Sequence, residues 1–507
     1  MKRKWNWAIV AGCGLVTANA AFSAAQPVTE WPFDYKEKLC IPWQALSKLD
    51  CGLAPSGMLE TRPASAISGS KWSVGCETMD RDYADWEAFK KALPLLGAKH
   101  ARFFSGWAKT EKAKGVYDFA WLDAQLRECV TFGVKPWVCI SYGNPVWGSG
   151  FEIGTGVAAV TGNPEAFAAW LRYVRALVAR YADIVDEWEV WNEPFGQGAA
   201  YSELFYRTAR AIREIQPTSK VFCTSLGTKD YKAVLEKLKA ENALDLGSYF
   251  IYHPYQRVPE ETYRDMKQQV EPSYPVLLRL VKSYSAAFGV MQGETGCPSQ
   301  LEYVPALDKV EWSEYAQAKW NLRRSLGEAV RGNPASVFTM IDLKYPVYLQ
   351  SFGLLRANLF RKPVYRRPSF YAMQHLFSYF DDEVSPKAVS ETTVNGKTVV
   401  IARFERQSTP VVALWFGGEI PNATCAYERG DVAVPVPLRY ARPVWLDLLT
   451  GKVCAFPERN VSLRSDGTVL KDVPLWDSPI LIAESDQVPH RTVRRVMTPV
   501  EIEDVGN

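Results

Sequence analysis

The chain has 507 residues, of which 47% are hydrophobic and 23% charged, ordinary globular material and enough for roughly two to four domains. Disorder, collagen and a disulfide-stapled miniprotein are excluded. Lys and Arg number 59 against 56 Asp and Glu, far short of the basic excess that neutralises phosphates, so no nucleic-acid partner is expected. Four histidines with no close His/Cys ligand spacing argue against a His-rich metal site, whereas 18 tryptophans suggest large cores or stacking platforms.

Lys2, Arg3 and Lys4 precede an apolar run from Trp5 to Ala21 that ends in small residues, the layout of a secretory signal peptide over residues 1–25, cleaved near Gln26. A secreted or periplasmic protein follows. Lipidation at Cys13, in Val10-Ala11-Gly12-Cys13, and an N-terminal membrane helix are the less favoured readings, since the run is short for the roughly 20 apolar residues of a span. No later segment reaches transmembrane length. All three surplus cations lie in this leader, so the remainder balances at 56 charges of each sign. Nine cysteines remain after cleavage, an odd number. Cys40 and Cys51 could close a short loop, and Cys76, Cys139 and Cys223 read as small buried hydrophobes.

Residues 26–69 have little periodicity and either wrap the next domain or lend strands to the last one. Over residues 70–380, short β-rich runs alternate with amphipathic helices, which predicts a parallel sheet with crossover helices. The expected strands are Trp72–Cys76, His100–Phe104, Lys135–Ser141, Val185–Trp191, Lys220–Ser225, Ser248–His253, Gly289–Gly293 and Val337–Ile341. Eight such strands fit a (β/α)8 TIM barrel. Trp86, Phe89, Leu93 and Leu96 share one helical face, as do Phe167, Trp170, Leu171, Val174 and Leu177. A doubly wound sheet is the alternative, and it lacks a Gly-rich turn after the first strand. Past residue 380 the helical period gives way to alternating strands, among them Thr398–Phe404, Val411–Phe416 and Ile480–Ala483. Residues 381–485 are therefore expected to form a β-sandwich accessory domain, with 486–507 as a tail.

In a TIM barrel the reacting groups sit at the carboxyl ends of the strands. The fourth run ends in Trp191-Asn192-Glu193-Pro194 and the seventh in Gly293-Glu294-Thr295-Gly296, each carrying a glutamate. Strands four and seven lie on different sides of a closed barrel, so the two carboxyl groups would converge over one cavity. Glycosidic cleavage needs such a pair: a protonated acid for the leaving oxygen, and an ionised group to face the positive anomeric carbon. Arg102, ending the second strand, is placed to keep the nucleophile ionised.

Trp191-Asn192-Glu193-Pro194 after a β-run resembles the acid/base signature of clan A glycoside hydrolases. Leu96-Gly97-Ala98-Lys99-His100-Ala101-Arg102-Phe103, Trp107 and Gly115-Val116-Tyr117-Asp118-Phe119 resemble the second-strand region of glycoside hydrolase family 39. His253-Pro254-Tyr255 resembles the sixth-strand step of family 5, and Gly293-Glu294-Thr295-Gly296 resembles the nucleophile strand. The resemblance implies a retaining double displacement with Glu193 as acid/base and Glu294 as nucleophile. Asn192 would hold the hydroxyl beside the reacting carbon, Arg102 and Tyr255 would hydrogen-bond the nucleophile, and His253 would line the same wall. Retention requires carboxyl groups about 5–5.5 Å apart, inversion about 6.5–9.5 Å. No metal or organic cofactor is implied, and the partner is a carbohydrate.

Substrate contacts are expected from Asn144, from Trp107 and Trp147, whose indoles could stack on a pyranose, and from Glu77, for which a subsite role and a structural salt bridge both stand open. Lys344 beside Asp342 either binds an anionic sugar substituent or forms a solvated ion pair. The aromatic floor that such enzymes often have after the eighth strand would come from Tyr345. Glu187 and Glu189 read as barrel-interior or helix-facing polar contacts. Gly154-Thr155-Gly156-Val157-Ala158-Ala159 is a weak dinucleotide-like match, read as part of an active-site loop. Two other readings remain: a carbohydrate-binding scaffold without turnover, and a transglycosylase that shares every residue named.

Overall fold

The structure is a computed structural model that describes residues 46, 49–148, 156–224, 227–265, 272–302 and 306–492. The leader at 1–25, Cys13, Cys40, residues 149–155 of the expected loop and residues 493–507 of the tail lie outside the described residues.

Eight parallel strands close into a barrel: Trp72–Gly75, His100–Phe104, Lys135–Ile140, Glu187–Val190, Lys220–Thr224, Tyr249–Tyr252, Gly289–Thr295 and Ala335–Val337. The first strand pairs with the second through Val74 and Ala101, and with the eighth through Val74 and Val337. Seven of the eight strands fall where the β-rich runs predict them, and the eighth, expected over Val337–Ile341, shares only Val337 with the strand Ala335–Val337. The eighth ends at Val337, earlier than expected, and the chain continues as irregular backbone past Phe338. Alternation along the strands sends Val74, Ala101, Phe103, Val138 and Val190 into the large core shared with the helices. Trp137, Phe222, Ile251 and Met291 form a separate inner cluster that fills the barrel like the side-chain layers of other TIM barrels. Arg102 rests on this plug, its guanidinium 5.3 Å from the Trp137 ring.

The helix Pro164–Tyr181 has the ends its sequence demands. Asn163 accepts hydrogen bonds from the backbone N–H of Glu165 and Ala166, and Pro164 occupies the first turn, where its missing N–H costs nothing. Trp170, Val174 and Leu177 face inward, fully buried. The expected helical face Trp86, Phe89, Leu93 and Leu96 is buried too. There the chain breaks into Trp86–Phe89, a 3-10 turn at Lys90–Ala92 and Leu93–Leu96, because Pro94 cannot donate within a continuous helix.

A C-terminal β-sandwich follows the barrel. Its larger sheet orders the strands Val384–Val394, Lys397–Arg406, Thr409–Phe416, Ile480–Glu484, Pro443–Asp447, Lys452–Ala455, Pro55–Leu59 and His490–Arg491. A three-stranded sheet of Glu428–Val434, Gly467–Leu475 and Val461–Arg464 accompanies it. Pro55–Leu59 pairs with both Lys452–Ala455 and His490–Arg491, so the segment before the barrel lends a strand to the sandwich and the start of the expected tail adds another. A buried ion pair of the barrel reaches the sandwich through hydrogen bonds. Arg323 of the helix Glu314–Ala329 grips Glu260 at 2.8 and 2.6 Å and also donates to the carbonyl of Glu419, while Trp415 donates to Glu260. Burial alone would raise the Glu260 carboxyl, but Arg323 holds it down at about 2.

Cys76, Cys139 and Cys223 are buried. Cys51 does not depend on Cys40 for a neighbour: its Sγ lies 3.5 Å from that of Cys454 across 403 residues of chain. A contraction of about 1.5 Å would reach bonding distance. Incubating the folded protein with oxidised glutathione, which accepts the two electrons, is expected to produce a Cys51–Cys454 disulfide in the non-reducing peptide map. Cys51→Ser is expected to lose that peptide and the accompanying rise in Tm.

Candidate active site

The loops at the carboxyl ends of the strands enclose a cavity of about 410 Å3, lined among others by Glu77, Arg81, Tyr142, Asn192, Glu193, Tyr255, Glu294 and Tyr345. At its base Arg102, fully buried, organises the acidic groups. Its Nε and Nη2 donate to the two oxygens of Glu189 at 2.8 and 2.7 Å, and Nη2 also donates to Asn192 Oδ1 at 2.8 Å. Its Nη1 donates to Glu294 Oε2 at 2.5 Å and to Glu77 Oε1 at 3.1 Å. Glu189 is thus the barrel-interior contact its alternation predicts. Glu187, two residues earlier, faces Lys135, Lys220 and His100 at the opposite end of the strand.

Tyr255 donates to Glu294 Oε1 at 2.8 Å, so both oxygens of this carboxyl receive a hydrogen bond. Burial acts to raise its pKa, but His253, Arg102 and the hydrogen bonds from Tyr255 and Arg102 outweigh it and hold Glu294 below the usual carboxylate value. Glu77 goes the other way. Burial lifts its pKa to about 8 against the pull of Arg102, with Glu294 adding to the rise. In the near-neutral range the shared proton therefore resides on Glu77, and Glu294 is the ionised member.

Glu193 sits on the other wall. His253 Nδ1 lies 2.8 Å from Glu193 Oε1 and 4.0 Å from Glu294 Oε2. Glu193, His253 and Glu294 each offer an atom within 4.8 Å of the other two. Trp191 and Glu193 both hold positive φ, 64° and 53°, an uncommon conformation for residues with a Cβ. The turn is fastened by Trp191 N–H donating to the Ile140 carbonyl, by the Cys139 thiol donating to the Trp191 carbonyl, and by the Trp191 ring against Tyr142 and Trp170. Asn192 donates to the Tyr142 hydroxyl at 2.9 Å.

Glu193, His253 and Glu294 also meet the minimum geometry for a divalent cation. The donor set fits one poorly: both oxygens of Glu294 are already engaged, one of them by a guanidinium, and a second cation would meet Arg102 at close range.

No family model matches the sequence, and no curated protein matches it. A family 39 glycoside hydrolase from the gut symbiont Bacteroides cellulosilyticus is similar in structure, with a TM-score of 0.58 at 18% identity, over 83% of this chain and 81% of its own. A GH30 endoxylanase from Clostridium papyrosolvens gives 0.52 at 12% identity over 84% and 97%, and a family 5 glycoside hydrolase from Bacteroides vulgatus 0.51 at 13% over 86% and 93%. The fold is the one these glycoside hydrolases share.

Of the residues expected at the site, Glu193, Glu294, Arg102, Asn192, His253, Tyr255 and Glu77 come together. Four expected substrate contacts do not. Trp107 is fully buried, stacked on Tyr173 and donating from Nε1 to Glu111 at 2.5 Å. Trp147 donates to the other oxygen of Glu111 at 3.0 Å, with Lys114 over its ring. Asn144 donates to the Glu111 carbonyl and caps the turn at Val146. These three side chains brace the loops around buried Glu111 and present no face to a sugar. Lys344 donates to the carbonyls of Tyr345 and Pro346, and Asp342 pairs with Arg367 at 2.6 and 2.9 Å instead. Tyr345 does reach the cavity, stacked at 4.7 Å on Tyr348. Phe104 and Tyr348 are cavity residues that the sequence did not single out; Arg81, just after Glu77, and Tyr142, in the loop expected to border the cleft, join them. The position of Arg81, just past the end of the first strand, is the signal for its place there.

The raised pKa of Glu77 has a sign that can be measured. Between about pH 4.5, where the unfolded carboxyl loses its proton, and about pH 8, the folded state keeps a proton that the unfolded chain has released. Stability therefore falls as pH rises through this window, by up to about 1.4 kcal/mol per unit from this group. Glu77→Gln removes the contribution, so its Tm is expected to improve relative to the parent from pH 5 to pH 8. A gap that stays constant would mean Glu77 is ionised throughout.

Proposed function

We propose that the protein is a retaining glycoside hydrolase that cleaves an O-glycosidic bond of a poly- or oligosaccharide by double displacement. The observation that carries this reading is the approach of Glu193 and Glu294, with carboxylate oxygens within 4.8 Å of one another. That spacing suits direct attack by a carboxylate and leaves too little room for the interposed water of inversion. The electrostatic asymmetry supports the same division of labour: Glu294 is held ionised by Arg102, Tyr255 and His253, as a nucleophile requires.

In this mechanism Glu294 attacks the anomeric carbon while Glu193 gives its proton to the departing oxygen. The aglycone leaves and an ester joins the sugar to Glu294. Glu193, now a base, takes a proton from water as the water oxygen attacks the same carbon, which releases the sugar and restores Glu294. His253, 2.8 Å from Glu193, orients the acid and moderates its charge. Asn192 keeps one amide hydrogen free of Arg102 and Tyr142 for a hydroxyl near the reacting carbon. Two intact carboxyl groups at this spacing speak against a scaffold without turnover. The basic and then apolar leader supports export from the cytoplasm.

Glu294→Ala is expected to lower kcat on an activated aryl glycoside by at least a thousandfold, with azide restoring turnover and giving the glycosyl azide of inverted configuration. For Glu193→Ala, azide is expected to yield the azide of retained configuration. Unchanged rates in both variants would refute the assignment.

A further inference from the structure

Arg81 is a cation in the cavity wall whose charge is paired at one end only, through Nε to Asp80. It lies on the loop after the first barrel strand and shares the cavity wall with Glu193 and Glu294. The ring centroids of Tyr83, Phe104 and Tyr142 stand 5.1, 5.6 and 5.1 Å from its guanidinium carbon. These three faces hold the side chain in one orientation. It pairs with Asp80 through Nε alone, which lies 3.4 Å from each of the two carboxylate oxygens. The two terminal nitrogens have no hydrogen-bond partner among the described residues, although the side chain is only 17% exposed.

The turn that carries it is fixed. Thr78 and Asp82 hold positive φ, Lys109 donates to the Met79 carbonyl and to Asp82 at 2.6 Å each, and Arg361 donates to the Asp82 carbonyl at 2.7 Å. A guanidinium that is largely enclosed, oriented, and paired at Nε while its two terminal nitrogens stay open can receive an oxyanion, since the two remaining N–H directions match two oxygens at once. A neutral hydroxyl would take one N–H at a time. On the same loop Glu77 Oε2 is buried without a hydrogen-bond partner, a second polar atom awaiting a ligand. Tyr345 and Tyr348, stacked at 4.7 Å with Tyr83 against Tyr345 at 4.5 Å, supply the apolar wall that a pyranose needs.

We propose that this cavity takes a sugar bearing an oxyanion, a uronic-acid carboxylate or a sulfate ester, with Arg81 as the residue that receives it. The inference rests on the glycosidase reading above and names its substrate class. Lys344, the cation that the sequence offered for this role, is spent on backbone carbonyls.

The test uses the full chain and pairs of 4-nitrophenyl glycosides that differ only at C6: glucuronide against glucoside, galacturonide against galactoside, and each neutral hexoside against its 6-sulfate. The acidic member of at least one pair is expected to have a kcat/KM at least tenfold higher, carried by KM. Arg81→Gln is expected to reduce that ratio to about one, and Arg81→Lys to retain part of it. Preference for the uronide assigns the site to a carboxylate; preference for the 6-sulfate assigns it to a sulfate ester. Turnover of the neutral members with equal or better kcat/KM in every pair overturns the role of Arg81 and leaves the glycosidase reading standing. Silence of every glycoside, with no cleavage of acidic or neutral oligosaccharides, removes the glycosidase reading and this inference together. Should Arg81→Gln fail to fold by circular dichroism, the C6 pairs on the parent protein decide alone.

Discussion

Arg102 is a fully buried cation, and burying an ion is tolerated only when its charge and donors are matched. Its five N–H groups make five hydrogen bonds, shared among Glu189, Asn192, Glu77 and Glu294. Only a guanidinium has donors enough in a fixed plane to do this, because a lysine offers three rotating ones. Several buried carboxyl groups around one guanidinium repel one another, which favours protonation of the one least supported by hydrogen bonds. Glu77 holds the proton, since burial raises its pKa to about 8, whereas His253 and Tyr255 add to Arg102 in keeping Glu294 ionised. The assignment of charge at the bottom of the cavity therefore follows from how the hydrogen-bond donors are shared among the carboxyl groups.

Glu193 stands outside this arrangement and is built differently. No guanidinium reaches it among the described residues; its close neighbour is His253, at 2.8 Å. It is also more open, with 18% of its side chain exposed against 11% for Glu294. Its backbone and that of Trp191 occupy the left-handed region, at a cost of about 1–3 kcal/mol each. The strain is offset by packing of the Trp191 ring between Tyr142 and Trp170. One carboxyl is thus locked within a buried network and the other is presented on a strained turn, which is how two chemically identical groups come to differ.

Much of this was legible in the sequence, for a definite reason. Barrel strands are short apolar runs separated by amphipathic helices, and the period changes at each boundary, so the eight runs could be placed and the glutamates at two strand ends read as converging. Arg102 followed from its strand-end position, whereas Asn192, His253 and Tyr255 came from the resemblance of their motifs to those of clan A glycoside hydrolases. Side chains on loops were not legible. Trp107, Asn144 and Trp147 occur where a sugar contact is plausible, yet all three are captured by Glu111, and nothing local marks Glu111 as their partner. Asp342 stands beside Lys344 in sequence but meets Arg367 from the following strand-helix junction. Pro55–Leu59 has no strand partner nearby in sequence; its partners lie at Lys452–Ala455 and His490–Arg491. The setting of Arg81 was not legible because two of the rings that orient it, Phe104 and Tyr142, come from the ends of the second and third barrel strands.

The two arginines of the cavity divide its electrostatics. Around Arg102, Glu294 is held ionised while Glu77 keeps its proton, so the base of the cavity presents a carboxylate, as the proposed displacement at an anomeric carbon would require. Around Arg81 the pairing of Nε with Asp80 leaves the terminal nitrogens without a hydrogen-bond partner among the described residues. On the proposed reading, a sugar would meet the Glu294 carboxylate and the Arg81 guanidinium in one cavity whose wall includes the stacked rings of Tyr345 and Tyr348. An oxyanion on that sugar would be repelled from Glu294 and drawn to Arg81, so the same charge pattern that stabilises the transition state also orients the ring that must reach it.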